Sequence, residues 1–227
     1  MRGFAPRQSA ERKLGLCVKQ GYYVKLCDLG IQTRLFVPPI PPFGPDGLLA
    51  PGDHEASFDE LRQSILVTGP EGPSASPTWD AAWRGQLVGN LERLTQQLWQ
   101  VGVREVYADG SFAEDKDHPN DIDGYFVCEL DLLASGRLER ELNLIDPDKV
   151  WTWSPASRRP YRGYPNLQLP MWHRYRVGLY PHVPALGGGC GIRDRHGNEL
   201  EFPAAFRQSR RDGSPRGIVK LLKGGHP

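Results

Sequence analysis

A chain of 227 residues can bury about 70 % of its unfolded surface in one domain, so it does not depend on disulfides for stability. The net charge of +1 gives no overall attraction to nucleic acid, and the four widely spaced cysteines form no Cys-x-x-Cys pair of a zinc ribbon. No run approaches the roughly 18 apolar residues of a membrane span, and the charged N-terminus lacks the apolar core of a secretory signal. We therefore expect a cytoplasmic protein with free thiols and no membrane partner.

The first part of the chain predicts an extension followed by a linker. "LGLCVKQGYYVKLCDLGIQTRLFV" is rich in β-branched and aromatic residues, which favours short strands or a hairpin. "PPIPPFGPDGLLAPGDH" has too many prolines for a helix or a central strand and predicts a linker or a surface strap. We assign residues 1–44 to a β-rich extension with this Pro-rich linker, and residues 45–227 to the main domain with a basic C-terminal segment.

The main domain alternates helical and extended patterns. Ser57 and Glu60 have capping-box spacing and predict a short helix through about Leu66. Ser76 as N-cap and Pro77 at the first helical position predict a long amphipathic helix that stops at Gly102. The remaining predicted elements are strands in "VREVYAD", "DIDGYFVCEL" and "WHRYRVGLYPH", a helix over 131–143, a short basic helix in "FPAAFRQSRRDG" ending at Gly213, and a basic strand or tail in "PRGIVKLLKGGHP".

Charge is strongly segregated along the chain. Residues 105–148 hold 13 acidic against 3 basic residues, whereas residues 151–193 hold six arginines and seven Trp or Tyr with no acid. Such an arrangement suits a cation on one side and a phosphate or base on the other. Two solvated faces that neutralise each other on folding are the alternative.

The stretch "GSFAEDKDHPNDIDGYF" concentrates five carboxylates behind a glycine turn. Like charges repel, and a buried carboxylate pair is costly without a cation. Asp121 and Asp123 are separated by one residue of a predicted strand, so both belong to the same face. Hard oxygen ligands in this arrangement predict one or two Mg²⁺ ions completed by water and substrate phosphate. The alternative is an acidic turn with solvated carboxylates.

The order helix, strand, Gly-Ser turn, strand with Asp-x-Asp resembles the core signature of the nucleotidyltransferase superfamily, which has the polymerase-beta-like fold. The resemblance implies an α/β or α+β fold with a small mixed sheet and packed helices. It implies that Gly110 and Ser111 open a helix whose backbone N–H groups hold a nucleoside triphosphate, and that Asp121 and Asp123 are the catalytic ligands of Mg²⁺ or Mn²⁺. Lys116 is a further candidate for a phosphate contact, with a solvated charge as the alternative.

The blocks "LLAPGDHEASFDEL", "GSFAEDKDHPNDIDGYF", "RYRVGLYPH" and "PRGIVKL" resemble those of a little-characterised bacterial family of small nucleotidyltransferase-like proteins, some linked to toxin-antitoxin or phage-defence loci. The resemblance covers about residues 45–222. It implies transfer of a nucleoside monophosphate from an NTP to a hydroxyl on RNA such as tRNA, on a protein or on a small molecule. A cognate partner protein is also implied.

One position departs from the superfamily pattern. Active members carry a third carboxylate on a later core strand, and we align that position with Gly178 in "RYRVGLYPH". Asp109 or Glu129 could serve instead, or the strand could align differently. The alternative function is therefore a catalytically impaired, nucleotide-binding or regulatory protein.

The C-terminal segment supplies a candidate basic patch for phosphate or nucleic acid, with a solvated tail as the alternative. Its members are Arg207, Arg210, Arg211, Arg216 and Lys220. Trp172 and Tyr175 are candidates for base stacking, although core packing is the commoner role of aromatic residues on a strand.

Overall fold

The computed structural model describes residues 38–186 and 189–224. Most of the predicted β-rich extension, residues 1–37, lies outside the described residues. The account below concerns the compact unit that begins at Pro38.

Five strands form one mixed sheet, which confirms the α+β class. In chain order they are β1 (Gly52–Ala56), β2 (Val106–Asp109), β3 (Ile122–Val127), β4 (Val177–His182) and β5 (Gly217–Leu221). Across the sheet the order is β1-β5-β2-β3-β4. The outer pairs β1–β5 and β3–β4 are parallel, and the inner pairs β5–β2 and β2–β3 are antiparallel.

Seven α-helices accompany the sheet in the described part of the chain. They are α1 (Phe58–Gln63), α2 (Ile65–Thr68), α3 (Ala81–Gln100), α4 (Leu130–Ala134), α5 (Arg137–Ile145), α6 (Pro170–Tyr175) and α7 (Phe202–Phe206). None of these helices is long and apolar enough to cross a membrane.

Capping residues determine where the N-terminal helices begin. The predicted capping box of Ser57 and Glu60 is confirmed, but α1 ends at Gln63 because Ser64 caps a new short helix. The predicted start of α3 at Ser76 and Pro77 is wrong, since Asp80 is the N-cap and accepts a hydrogen bond from the backbone N–H of Trp83 at 2.9 Å. The predicted stop is confirmed, since Gly102 follows the C-cap with φ +91°.

Three predicted elements have different bounds in the structure. The helix expected over 131–143 divides into α4 and α5 at Gly136, which is left-handed. The strand expected over "WHRYRVGLYPH" starts only at Val177, because Pro170 initiates α6 ahead of it. The basic helix expected to reach Gly213 ends at Phe206.

The two ends of the domain differ in how far they follow the expectations. The Pro-rich segment is not a surface strap, because Ile40, Leu48 and Leu49 are buried in it and strand β1 begins within it at Gly52. For "PRGIVKL", which was expected to be a strand or a tail, the strand is confirmed: it is β5, an interior strand between β1 and β2.

The two faces of the sheet differ in chemistry because side chains alternate along each strand. One face presents aliphatic residues such as Ala108, Ile122 and Val219 to the main core, which also contains the buried leucines of α3. The opposite face carries Tyr107, Tyr125 and Ile218, which pack with Phe206 of α7 in a second, smaller cluster. Asp109 and Asp123 lie two residues along from those tyrosines, on this second face.

Candidate functional site

A cavity of about 810 Å³ opens on the second face of the sheet, at the edge where β2 ends and β3 and β4 begin. The expected Gly-Ser turn and both aspartates line it together with arginines and aromatic residues. The members most relevant to its chemistry are Gly110, Asp121, Asp123, Arg158, Tyr180 and Arg210.

Asp121 and Asp123 project from the start of β3 into this cavity. Burial, reinforced by the negative charge of Asp121, raises the pKa of Asp123 to about 7. Burial also raises the pKa of Asp121, against a hydrogen bond from the indole N–H of Trp172 at 2.6 Å. The two half-buried carboxylates thus lie close enough for the charge of Asp121 to disfavour ionisation of Asp123, an arrangement that a bound cation would relieve.

The Gly110–Ser111 turn packs directly against Asp123. Gly110 has φ +82°, and a Cβ there would lie 3.1 Å from the Cβ of Asp123. The turn continues into a single 3₁₀ turn, Gly110–Ala113, and not into the α-helix that the resemblance implied. The helix does not extend because Glu114 is extended and Asp115 donates its backbone N–H to the carbonyl of Gly47 at 2.9 Å.

Arg84 of α3 anchors the segment that follows the Gly110–Ser111 turn. Its buried guanidinium donates hydrogen bonds to the carbonyl oxygens of Leu66, Phe112, Glu114 and Lys116. Burial lowers the pKa of Arg84 to about 10, so it remains charged at neutral pH. The loop over residues 112–116 is therefore fixed to α3 by a buried cation.

Gly178 is the register partner of Asp123 on the parallel strand β4. A Cβ at this position would lie 3.1 Å from Oδ1 of Asp123, so any side chain at position 178 would start beside the aspartate pair. The alignment of the third strand that places Gly178 next to Asp123 thus agrees with the structure.

The two alternative carboxylates are not available to the cavity. Glu129 is exposed at the N-terminus of α4, beyond the far end of β3. Asp109 is 1 % exposed and accepts a hydrogen bond from Nη2 of Arg216 at 2.6 Å. Burial raises the pKa of Asp109 against the opposing effect of Arg216, and its second oxygen has no hydrogen-bond partner among the described residues.

The predicted basic patch separates into two groups. Arg207 binds Asp53 with two bonds of 2.7 Å and Lys220 binds Glu55 at 2.9 Å, so both are used in ion pairs across the sheet. Arg216 is buried between Asp109 and Glu114. These three residues do not form a free surface for nucleic acid.

Arg210 and Arg211 line the cavity, as does the buried Arg216. Arg211 pairs with Glu114 at 3.0 Å, whereas Arg210 has no ion-pair partner within the described ranges. The charge of Arg210 acts on both Asp121 and Asp123. Lys116 is exposed and outside the cavity lining, although its charge still lowers the pKa of Asp121.

Trp172 and Tyr175 are core residues and not base-stacking surfaces. Trp172 is 2 % exposed and orients Asp121 through its indole N–H. Tyr175 is equally buried and donates its hydroxyl to Asp148 at 2.9 Å.

A family model matches residues 41–222, which include every strand and helix described above. Its description is "Family of unknown function (DUF6932)". The chain belongs to this DUF6932 family. No curated protein and no solved structure matches the chain.

Several residues that line the cavity of this DUF6932 protein had no role predicted from the sequence. These are Arg158, Tyr180, Phe202 and Phe206. The sequence marks Arg158 only as one of the arginines in the acid-free segment 151–193. Its one signal for Tyr180 is the two-residue spacing from Gly178, which places both residues on the same face of a strand. Nothing in the sequence indicates that α7 and the Gly-Ser turn line the same cavity, because they are brought together only by the folded sheet.

Proposed function

We propose that this protein is a metal-dependent nucleotidyltransferase with a polymerase-beta-like core, which moves a nucleoside monophosphate from an NTP to a hydroxyl acceptor. The observation that carries the proposal is the strand register. It brings the Gly110–Ser111 turn, Asp121 and Asp123 to one cavity that arginines also line. The Gly-Ser turn and the Asp-x-Asp strand that meet in this cavity are the two motifs that resemble the nucleotidyltransferase superfamily.

The donor set fits Mg²⁺ or Mn²⁺ bound together with a nucleotide. The described residues contain no group of three or more His, Cys, Asp or Glu side chains that could hold a metal alone. Asp121 and Asp123 supply hard oxygens, and a cation there would offset the repulsion that raises the pKa of Asp123. Mg²⁺ commonly binds one or two carboxylates and completes its shell with water and substrate phosphate.

In this proposal, different side chains bind the phosphates and position the aspartates. Arg158, Arg210 and Arg211 line the side of the cavity that would receive the phosphates. Trp172 holds Asp121 in one orientation, and Arg84 holds the loop after Ser111. A bound divalent ion would supply charge stabilisation at the α-phosphate.

The proposed reaction forms one bond to the α-phosphorus and breaks another. The acceptor oxygen bonds to the α-phosphorus while the bond from that phosphorus to the bridging oxygen of pyrophosphate breaks. Pyrophosphate leaves with that electron pair, and the acceptor proton is released to solvent. RNA, including tRNA, and a cognate protein are the acceptor classes that the resemblance implies.

The test is metal-dependent release of pyrophosphate. The full chain is incubated with each α-labelled NTP, Mg²⁺ or Mn²⁺, and RNA or a protein extract as acceptor. We expect pyrophosphate release and label transfer that Asp123→Asn abolishes. Asp131→Asn, which changes an exposed carboxylate on α4, is the matched control and should keep activity. Equal activity in Asp123→Asn would contradict the proposal.

A second candidate is a nucleotide-binding regulator without turnover, favoured by Gly178 beside Asp123. Two carboxylates still suffice to hold Mg²⁺ with the phosphates of a nucleotide. Metal-dependent NTP binding by the wild-type chain, with no label transfer to any acceptor class, would favour this function.

A further inference from the structure

Tyr180 occupies the part of the cavity that Gly178 leaves open. Both residues are on β4, two positions apart, so they belong to the sheet face that carries Asp123. A Cβ placed on Gly178 would lie 3.3 Å from Cε2 and 3.4 Å from the hydroxyl oxygen of Tyr180. The phenol ring therefore folds back over Gly178, and its hydroxyl is directed toward the aspartate end of the cavity.

Packing holds this ring in place. Tyr180 stacks on Phe202 with ring centroids 5.2 Å apart and planes at 16°, and Phe202 stacks in turn on Phe206 at 5.8 Å. Phe206 belongs to the cluster on the second sheet face with Tyr125. A phenol supported by such a stack has little rotamer freedom to lose when a ligand binds.

The hydroxyl of Tyr180 is a neutral donor that the protein does not use internally. Burial, and then the negative charge of Asp123, raise the pKa of Tyr180, so the proton stays on the oxygen at neutral pH. Among the described residues, this hydroxyl donates no hydrogen bond to a protein acceptor, and its hydrogen-bonding neighbour Arg158 is itself a donor. By contrast, Tyr175 donates its hydroxyl to Asp148 and Tyr107 donates to Glu105.

Arg158 is the cationic neighbour of this hydroxyl. Its guanidinium lies beside the Tyr180 oxygen and lines the same cavity. One of its nitrogens donates to the carbonyl of Leu167 at 3.2 Å, and no carboxylate pairs with it among the described residues. A neutral donor next to an unpaired guanidinium is suited to an oxygen that carries negative charge.

We propose that Tyr180 is a ligand-contacting residue, whose hydroxyl donates a hydrogen bond to a nucleotide phosphate oxygen that Arg158 also binds. The inference rests on the proposed nucleotide site and adds a contact that the aspartates and the Gly-Ser turn do not supply. Gly178 and Tyr180 form one unit in this arrangement, since the absent side chain makes room for the phenol.

The experiment compares Tyr180→Phe with the wild-type chain by equilibrium binding. The two ligands are Mg-tripolyphosphate and the Mg-NTP that binds the wild-type chain most tightly of the four common ribonucleotides. Because the hydrogen bond goes to a charged group, we expect Tyr180→Phe to weaken both ligands by about tenfold or more. Tyr161→Phe, which removes a tyrosine hydroxyl outside the cavity lining, is the matched control and should bind as the wild type does.

A purely structural role for Tyr180 predicts a different result. Phenylalanine keeps the ring and therefore its stacking on Phe202, so a packing residue would leave the affinity for tripolyphosphate unchanged. Combining Tyr180→Phe with Arg158→Gln should give a loss smaller than the product of the single losses, because the two groups share one ligand oxygen.

The failure of this inference is distinguishable from failure of the proposed function. If Tyr180→Phe binds both ligands as the wild type does while Asp123→Asn does not bind them, the Tyr180 contact is wrong and the nucleotide site stands. If the wild-type chain binds neither ligand in the presence of Mg²⁺, both the Tyr180 contact and the proposed nucleotide site are wrong.

Discussion

Asp109 and Asp123 are directly opposite each other on β2 and β3, yet only Asp123 lines the cavity. The difference is Arg216, which is 3 % exposed and binds Asp109 through Nη2 and Glu114 through Nη1. Arg216 immediately precedes β5, and that strand pairs with β2. The residue that precedes the last strand of the domain thereby pairs one of the two facing aspartates with a cation, and the other aspartate is left lining the cavity.

Removing this internal cation should destabilise the fold strongly. Arg216→Met leaves Asp109 buried without a partner, which typically costs about 3–5 kcal/mol. Arg207→Met breaks the half-exposed pair with Asp53 and should cost about 1 kcal/mol or less. The free energies of unfolding in urea measure both.

A double variant separates the charge from the packing. Asp109→Asn combined with Arg216→Met removes both buried charges, so it should recover a large part of the stability lost in Arg216→Met alone. An equal loss in the single and double variants would mean that Arg216 acts through packing and not through its charge.

The raised pKa of Asp123 predicts an unusual pH dependence in metal-free protein. Its pKa is about 7 when folded, against about 3.9 for an ordinary Asp, so the folded state holds the extra proton between these values. Protonation of Asp123 therefore stabilises the folded state fully below about pH 4, and this stabilisation is lost as the pH rises through about 7. Each unit of pKa difference corresponds to about 1.4 kcal/mol.

Urea unfolding in EDTA at pH 5 to 8 measures this effect. The difference in stability between the wild type and Asp123→Asn should change in favour of the variant as the pH rises, and Mg²⁺ with an NTP should reverse the change at pH 8. A difference that is independent of pH would place Asp123 in a solvated environment.

Short-range patterns in the sequence were sufficient to predict which residues form the acidic part of the cavity. The two-residue spacing of Asp121 and Asp123 and the turn at Gly110 are local features, and one alternating strand pattern was enough to position Gly178. The basic half depends on partners that are distant in sequence. Nothing near Arg207 or Arg216 in the sequence indicates that Asp53 and Asp109 would bind them.

The errors in the predicted secondary structure also arise where local sequence does not determine the element. Strand β1 was missed because it is a polar edge strand that follows a Pro-rich segment, where local propensity argues against a strand. Helix α6 was missed because its six residues are too few to show a helical period, and its aromatic residues have high strand propensity.

Cysteine footprinting can locate the nucleotide without an assay for turnover. Cys190 lines the cavity and is half-buried, whereas Cys128 is buried and burial raises its pKa to about 11. We expect iodoacetamide at pH 8 to modify Cys190 and to leave Cys128 unmodified. Mg-NTP should slow the modification of Cys190 several-fold, as measured by peptide mass spectrometry.

The aspartates provide the control for that protection. In Asp121→Asn and Asp123→Asn, Mg-NTP should no longer protect Cys190, because the proposed metal link between nucleotide and protein would lose a ligand. Protection that persists in both variants and in EDTA would place the nucleotide away from the aspartate pair.

Gly178 provides the sharpest test of catalysis. Gly178→Asp would add a carboxylate next to Asp123, where it could activate an acceptor hydroxyl, and a positioned general base typically contributes about 10²- to 10⁴-fold. The new Cβ would lie 3.3 and 3.4 Å from Tyr180, so the phenol must move by a few tenths of an ångström. We therefore expect kcat for pyrophosphate release to rise at least tenfold and KM for the NTP to rise with it, because the proposed contact of Tyr180 is disturbed. Gly178→Ala introduces the same Cβ without the carboxylate, so it should raise KM but not kcat. Identical kinetics in the two variants would show that a carboxylate at position 178 has no part in the reaction.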